Sequence, residues 1–206
     1  MEFKDFMELQ LDPNIMGTPN LPQLENIPTV IFDIDGTLAD IEHRRHFVEG
    51  KKKDFDAFNA AMVNDTPNEP IVDLLHMCLG RFDMAGAGAT QVIFCTGRME
   101  QYREVTRSFL LDACEVEEFL SLVMDKHRHE PKYRRMVERD LDTYLFMRPD
   151  ERRHDPDHQI KQGMLGEILK TVDKKNIMYA VDDRQRVVDM WRANGLTCLQ
   201  VAEGNF

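Results

Sequence analysis

The chain has 206 residues, is 42% hydrophobic and 31% charged, and carries a net charge of −11. That length suits one domain with an inserted lobe. The acidity speaks against a nucleic-acid coat or architectural protein, no apolar run approaches a membrane span, and the scattered Cys78, Cys95, Cys114 and Cys198 outline neither a zinc site nor a disulfide framework.

Residues 1–27 contain Pro13, Pro19 and Pro22 and read as an irregular lead-in, with a short helix near Phe3 to Leu9. Met1 to Gln10 carries acids and lacks a signal-peptide core, so a cytoplasmic location is expected. Five nearly continuous apolar runs then read as buried strands: Thr29–Asp33, Gln91–Thr96, Thr143–Met147, Asn176–Asp182 and Leu196–Val201. Helical patterns alternate with them. They cover Glu69–Leu79, with Gly80 as its cap, then Met99–Leu111, His158–Val172 and Arg184–Asn194, with Gly195 following.

Strands alternating with helices predict an α/β fold: an open, mostly parallel, Rossmann-like sheet with helices on both faces, spanning 28–206. Two segments break the alternation, about 41–67 and 113–142, and are expected to form small helical caps over the site. The first contains Lys51-Lys52-Lys53. The second overlaps a basic stretch, Lys126 to Arg153, with nine Lys and Arg against six acids. That stretch could guide a polyanion or simply be a solvated face of mixed charge.

Open α/β sheets place ligands at the carboxyl ends of their strands. Four groups of residues fall there. Asp33 and Asp35 end the first strand, and Gly36 lets the chain turn so that both acids converge. A nucleophilic carboxylate beside a proton-transferring one is the equipment of phosphoryl transfer through an aspartyl-phosphate. Asp33 is assigned as the nucleophile. Asp35 is assigned as the acid, then the base, a role that asks it to hold a proton near neutral pH. Thr96-Gly97-Arg98 ends the second strand and offers a hydroxyl, backbone N–H groups and a guanidinium to a phosphate, though a capping Thr would look the same.

Lys161, on the helix that starts near Asp157, would neutralise phosphate oxygens, although a lysine without context is usually at the surface. Asp182 and Asp183 end a further strand. Adjacent buried acids repel unless a cation lies between them and the first pair, and oxygen-only ligands favour Mg²⁺. The expected metal ligands are therefore Asp33, Asp35, Asp182 and Asp183. Each group alone is weak; the ordered set indicates a phosphotransfer site.

In that order the residues resemble the haloacid dehalogenase superfamily of phosphatases. Ala180 to Gly195, Cys198 to Phe206 and Asp33 to Ala39 further resemble the 3′-phosphatase domain of phage polynucleotide kinase-phosphatase. The resemblance implies a Mg²⁺-dependent enzyme that removes a 3′-phosphate from a nucleic-acid or nucleotide end. It implies that Arg44 and Arg98 contact substrate phosphate and that Asp157 orients Lys161. A phage source, and hence a host cytoplasm, is implied by the resemblance alone.

The chain also departs from that pattern. Only 27 residues precede the first motif and no Gly-x-x-x-x-Gly-Lys-Ser/Thr is present, so no kinase activity is expected; Gly86-Ala87-Gly88 reads as a loop. The 113–142 insert is longer than the resemblance leads one to expect. The expected partners are strand ends or nucleotides bearing a phosphate, with no membrane, and the oligomeric state is left open. The runner-up reading is a nucleotidase for free nucleoside monophosphates. A third is a non-catalytic end-binding module, which the retention of every acid disfavours.

Overall fold

The computed structural model describes residues 28–80, 90–116 and 141–204. The lead-in with its expected helix, the Gly86-Ala87-Gly88 loop, most of the 113–142 insert and the first part of the basic stretch (126–140) lie outside the described residues.

Five strands form the main sheet: β1 (Thr29–Phe32), β4 (Gln91–Met99), β5 (Leu145–Arg148), β6 (Ile177–Arg184) and β7 (Cys198–Gly204). Every pairing is parallel, in the order β5-β4-β1-β6-β7, so β1 is central. Between them lie α1 (Glu42–Arg45), α2 (Phe55–Ala60), α3 (Glu69–Gly80), α4 (Arg103–Ser108), α5 (Asp157–Ile168) and α6 (Gln185–Ala193).

Two apolar layers cover the sheet, and strand alternation assigns residues to each. Val30 and Phe32, Val92 and Phe94, Leu145 and Met147 join Val72, Leu75 and Cys78 of α3 and the turn at Phe109–Leu111. Ile31, Ile93, Cys95, Phe146 and Ala180 face the other way, onto Ile160, Met164 and Ile168 of α5 and Val187, Val188 and Trp191 of α6. No helix among the described residues is long and apolar enough to cross a membrane.

The sequence reading differs from the structure at element ends. Thr143 and Tyr144 are helical, and the strand begins at Leu145. The stretch expected as one helix from Met99 is a 3₁₀ turn (Glu100–Tyr102), then α4, then a π turn over Phe109–Ala113. Helix α3 runs through Gly80 rather than stopping before it. Gly195 does end α6: its φ is +73°, and the Gly195 and Leu196 N–H groups donate to the Arg192 and Trp191 carbonyls at 2.8 and 3.1 Å.

Residues 41–65 leave and return through a two-stranded antiparallel pinch, β2 (Ala39–Asp40) against β3 (Thr66–Pro67). Asn68 fastens this pinch to the Asp33–Thr37 turn: its Nδ2 donates to the Thr37 carbonyl at 2.9 Å and its N–H to the Leu38 carbonyl at 2.8 Å. The inserted loop is thus held against the carboxyl end of β1.

Candidate active site

Alternation along the strands does not stop at the last apolar residue. Asp33 follows Ile31, and Asp182 follows Ala180, onto the face covered by α5 and α6. There Lys161 Nζ donates to Asp33 Oδ1 at 2.5 Å and to Asp182 Oδ2 at 2.9 Å. Lys161 is buried on the inner face of α5 beside Ile160 and Met164. Thr37 Oγ1 donates to the second oxygen of Asp33 at 3.1 Å, and Trp191 Nε1 donates to Asp182 Oδ2 at 3.1 Å.

Asp183 follows Val181 onto the opposite face, under the turn at Gly36. Gly36 has φ +80°, and a Cβ there would overlap Asp183 Oδ2 and lie 2.8 Å from its Cγ. The glycine is required twice, by its backbone angle and by the carboxylate beneath it. One oxygen each of Asp33, Asp182 and Asp183 lie within 4.8 Å of one another, all three residues buried. Asp183 Oδ1 is buried with no hydrogen-bond partner among the described residues.

Three acids around one ammonium leave negative charge in a dry site. Burial, opposed by Lys161 and reinforced by Asp182 and Asp183, holds the Asp33 carboxyl well above the usual carboxylate range. Burial and then the Asp182 charge push Asp183 up to about 6. Burial would lower the Lys161 ammonium, but Asp182, Asp33 and Asp157 outweigh it and hold it above its usual range. An orphaned buried oxygen among converging carboxylates is the donor set that a hard divalent cation completes.

Asp35, expected among the metal ligands and as a carboxyl holding its proton, lies elsewhere. Its Oδ1 accepts from Arg98 Nε at 2.7 Å and from Arg44 Nη2 at 2.8 Å. Burial would raise its carboxyl, but the two guanidiniums outweigh it and bring it down to about 2. The assigned role asks this carboxyl to hold a proton near neutral pH; with both guanidiniums on it, it sits well below that. Arg98 reaches Asp35 because, like Phe94, it points to the α3 side of the sheet, with its guanidinium 5.5 Å from the Phe109 ring centre. Arg44 is wholly buried on α1, its guanidinium 4.1 Å from the Phe58 ring centre.

The Thr96-Gly97-Arg98 turn and Asp157 meet as well. Thr96 Oγ1 accepts the Arg98 N–H at 3.2 Å. A Cβ on Gly97 would overlap Asp157 Oδ1, so only glycine lets α5 start this close to β4. Asp157 lies 3.9 Å from Lys161 Nζ but closer to Arg148, at 3.1 Å, with Arg184 at 3.7 Å. Burial opposes ionisation of Asp157, yet Lys161, Arg184 and Arg148 hold its carboxyl below the usual value.

Three residues of the site were not singled out from sequence. Asp65 is buried and accepts from Arg44 Nε at 2.6 Å, Arg44 Nη2 at 2.7 Å and Arg98 Nη2 at 2.6 Å, so it pins both arginines. Burial outweighs the two guanidiniums and leaves its carboxyl above its usual value. Arg148 ends β5 and ties down the loop before α5, donating to the carbonyls of Gly97, Arg152 and Asp155 at 2.9, 3.1 and 2.6 Å. Trp191 read only as part of an apolar helix face. A charged residue closing an apolar strand was the available signal for Arg148; Asp65, on an irregular loop, carries none.

Residues 27–206 match the family described as polynucleotide kinase PNKP phosphatase domain. Among solved structures, the chain is similar to one titled "Structure of Pnkp1/Rnl/Hen1 complex", at 26% identity and TM-score 0.56, covering 92% of this chain and 51% of that one. It is also similar to one titled "Structure of the Pnkp1/Rnl/Hen1 RNA repair complex", at 27% identity and TM-score 0.55, covering 90% and 46%. The chain therefore spans about half the length of those solved chains. With the match covering 27–206, the whole of the main sheet included, the chain belongs to the polynucleotide kinase PNKP phosphatase domain family.

Proposed function

We propose that the chain is a Mg²⁺-dependent phosphatase that removes the 3′-phosphate from nucleic-acid ends through an aspartyl-phosphate. The observation that carries the reading is the convergence of Asp33, Lys161, Asp182 and Asp183 at the carboxyl end of the central strand. An Asp33 oxygen attacks phosphorus and the bond to the 3′-oxygen breaks, with Asp35 supplying the proton. Water then attacks the acyl phosphate, Asp35 takes a proton back, and Asp33 is regenerated with inorganic phosphate released.

Lys161 holds the attacking carboxylate and balances charge on the phosphoryl oxygens, while Thr37 fixes the carboxylate's second oxygen. Thr96, the Gly97 backbone, Arg44 and Arg98 are the assigned donors to substrate phosphate. Arginines drawn onto the phosphate loosen their hold on Asp35, whose carboxyl then rises from about 2 toward a value useful for proton transfer. Asp157 acts at one remove, held by Arg148 and Arg184 so that α5 presents Lys161 correctly. Asp33, Asp182 and Asp183 would hold the Mg²⁺ ion, which when bound offsets negative charge on the phosphate and the carboxylates. The segment 41–67 is the proposed cap, and the four buried cysteines, none in a disulfide, suit a reducing cytoplasm.

The deciding experiment compares phosphate release from a 3′-phosphorylated oligonucleotide and from nucleoside 5′-monophosphates, with Mg²⁺ and with EDTA. The oligonucleotide is expected to be the better substrate and EDTA to stop the reaction. Preference for the free nucleotides would replace this reading with the nucleotidase.

Metal binding has a second readout. With its folded carboxyl at about 6 and its ordinary value at 3.8, metal-free Asp183 binds more protons folded than unfolded between those values. It therefore costs stability as pH rises through that window. A cation takes the proton's place, so its stabilisation is larger at pH 7.5 than at pH 5. At a hundred times its dissociation constant Mg²⁺ contributes about 2.7 kcal/mol, roughly 5 to 10 °C in melting temperature for a chain of this size. Calorimetry at the two pH values checks this; equal shifts would remove these acids from the metal site.

A further inference from the structure

The insert that carries Arg44 also carries a feature the catalytic scheme leaves unused. Lys51, Lys52 and Lys53 are exposed in succession and lead into α2, whose first residue, Phe55, is 55% exposed. Lys53 Nζ lies 6.0 Å from the Phe55 ring centre. The loop is fixed at both ends: the Asp54 N–H donates to the Phe47 carbonyl at 2.7 Å, and Asp54 Oδ1 caps α2 by accepting the Ala57 N–H at 2.9 Å. One turn after Phe55, Phe58 packs against the Arg44 guanidinium that touches Asp35. From the loop before α5, Arg153 approaches Asp56 at 4.0 Å. The exposed ring therefore stands one helical turn from the residue that packs on Arg44, and the three exposed lysines precede it directly in the chain.

We infer that Lys51, Lys52, Lys53 and Phe55 form a landing for the single strand on the 5′ side of the terminal phosphate. The lysines contact its backbone and the Phe55 ring stacks on a base. This rests on the 3′-phosphatase reading and adds to it the element that distinguishes a polymer from a free nucleotide. Charge complementarity argues for that occupant: three adjacent cations are exposed on the insert that carries Arg44 in a chain with net charge −11, where a small neutral or cationic partner would gain nothing from them. Sequence-tolerant strand binding takes this form, a cationic track beside an aromatic face that any base can stack on.

The test uses the full chain, a Phe55→Ala variant and a triple Lys51→Ala, Lys52→Ala, Lys53→Ala variant. Three substrates are compared: a 3′-phosphorylated single-stranded decamer, a nucleoside 3′-monophosphate and p-nitrophenyl phosphate. Phe55→Ala is expected to raise KM for the decamer about tenfold, as the loss of one stacked base does. The triple variant is expected to raise it further and to flatten the slope of log KM against log salt by about two, at ~0.7 per single-strand phosphate contact. Both variants should hydrolyse p-nitrophenyl phosphate and the monophosphate within twofold of the parent.

A parent that prefers the decamer, with variants that keep its KM and salt slope, overturns the landing alone. Equal losses on all three substrates also overturn it, since the residues would then support the fold or the chemistry. A parent that hydrolyses p-nitrophenyl phosphate but gains nothing from the decamer over nucleoside monophosphates overturns the 3′-end reading and the landing with it.

Discussion

Asp33→Asn is expected to lower turnover on the order of 10⁴-fold or more while leaving the chain folded. The amide is nearly the same size; its one oxygen can still accept from Lys161 while its NH2 donates to the Thr37 hydroxyl, so the packing at the end of β1 survives. What it lacks is the anionic oxygen that would attack phosphorus. The effect on stability should be small and can be favourable, because burial already strains this carboxyl above its usual range. Removing a negative charge from a cluster of four buried or half-buried acids relieves repulsion, and Lys161 keeps Asp182 at 2.9 Å and Asp157 at 3.9 Å. Loss of activity with retained or raised melting temperature is the signature of a site selected for chemistry at some expense of stability. Single-turnover phosphate release from the 3′-phosphorylated oligonucleotide, together with a thermal melt, checks both halves. Release at the parent rate would take the nucleophile away from Asp33, and with it the aspartyl-phosphate.

The fold and half of the site were legible because both are written in strand periodicity. β1, β4 and β6 announce themselves as apolar runs, and each ends in residues an apolar strand has no use for: Asp33, Thr96-Gly97-Arg98, Asp182-Asp183. The same period of two sends Asp33 and Asp182 to Lys161 and sends Asp183 under Gly36. What sequence could not give was the second charge network. Asp65 lies in an irregular segment, and nothing local marks it as a partner for an arginine 21 residues upstream and another 33 residues downstream. Without those guanidiniums in view, nothing in the sequence indicated that the Asp35 carboxyl is held low by Arg98 and Arg44. Arg148 likewise counted as one charge in a basic stretch, whereas in the fold it holds Gly97, Asp155 and Asp157 together.

Asp65→Ala is expected to be the most destabilising single change at this site that spares the Asp33 cluster. Arg44 and Arg98 are both buried and share two carboxylates, Asp35 and Asp65. Their Nη1 atoms already lack partners among the described residues. Removing Asp65 leaves two buried guanidiniums with one acid between them, and breaking a buried pair in this way costs about 3 to 5 kcal/mol. For a chain of this size that is roughly 6 to 20 °C in melting temperature. Asp65→Asn keeps an acceptor for the arginines and should lose roughly half as much, on the scale of 1 to 3 kcal/mol for a hydrogen bond to a charged group. A purely structural role would stop there. Because both arginines would then bear on Asp35 alone, its carboxyl should sit still lower and the proton for the leaving oxygen should be harder to supply. The folded Asp65→Asn protein should accordingly show kcat reduced at least about tenfold below a temperature where it is fully native, with its pH profile displaced toward acid. A variant with the parent's melting temperature and the parent's pH profile would show that the arginine pair is held by Asp35 and the Phe58 ring without Asp65.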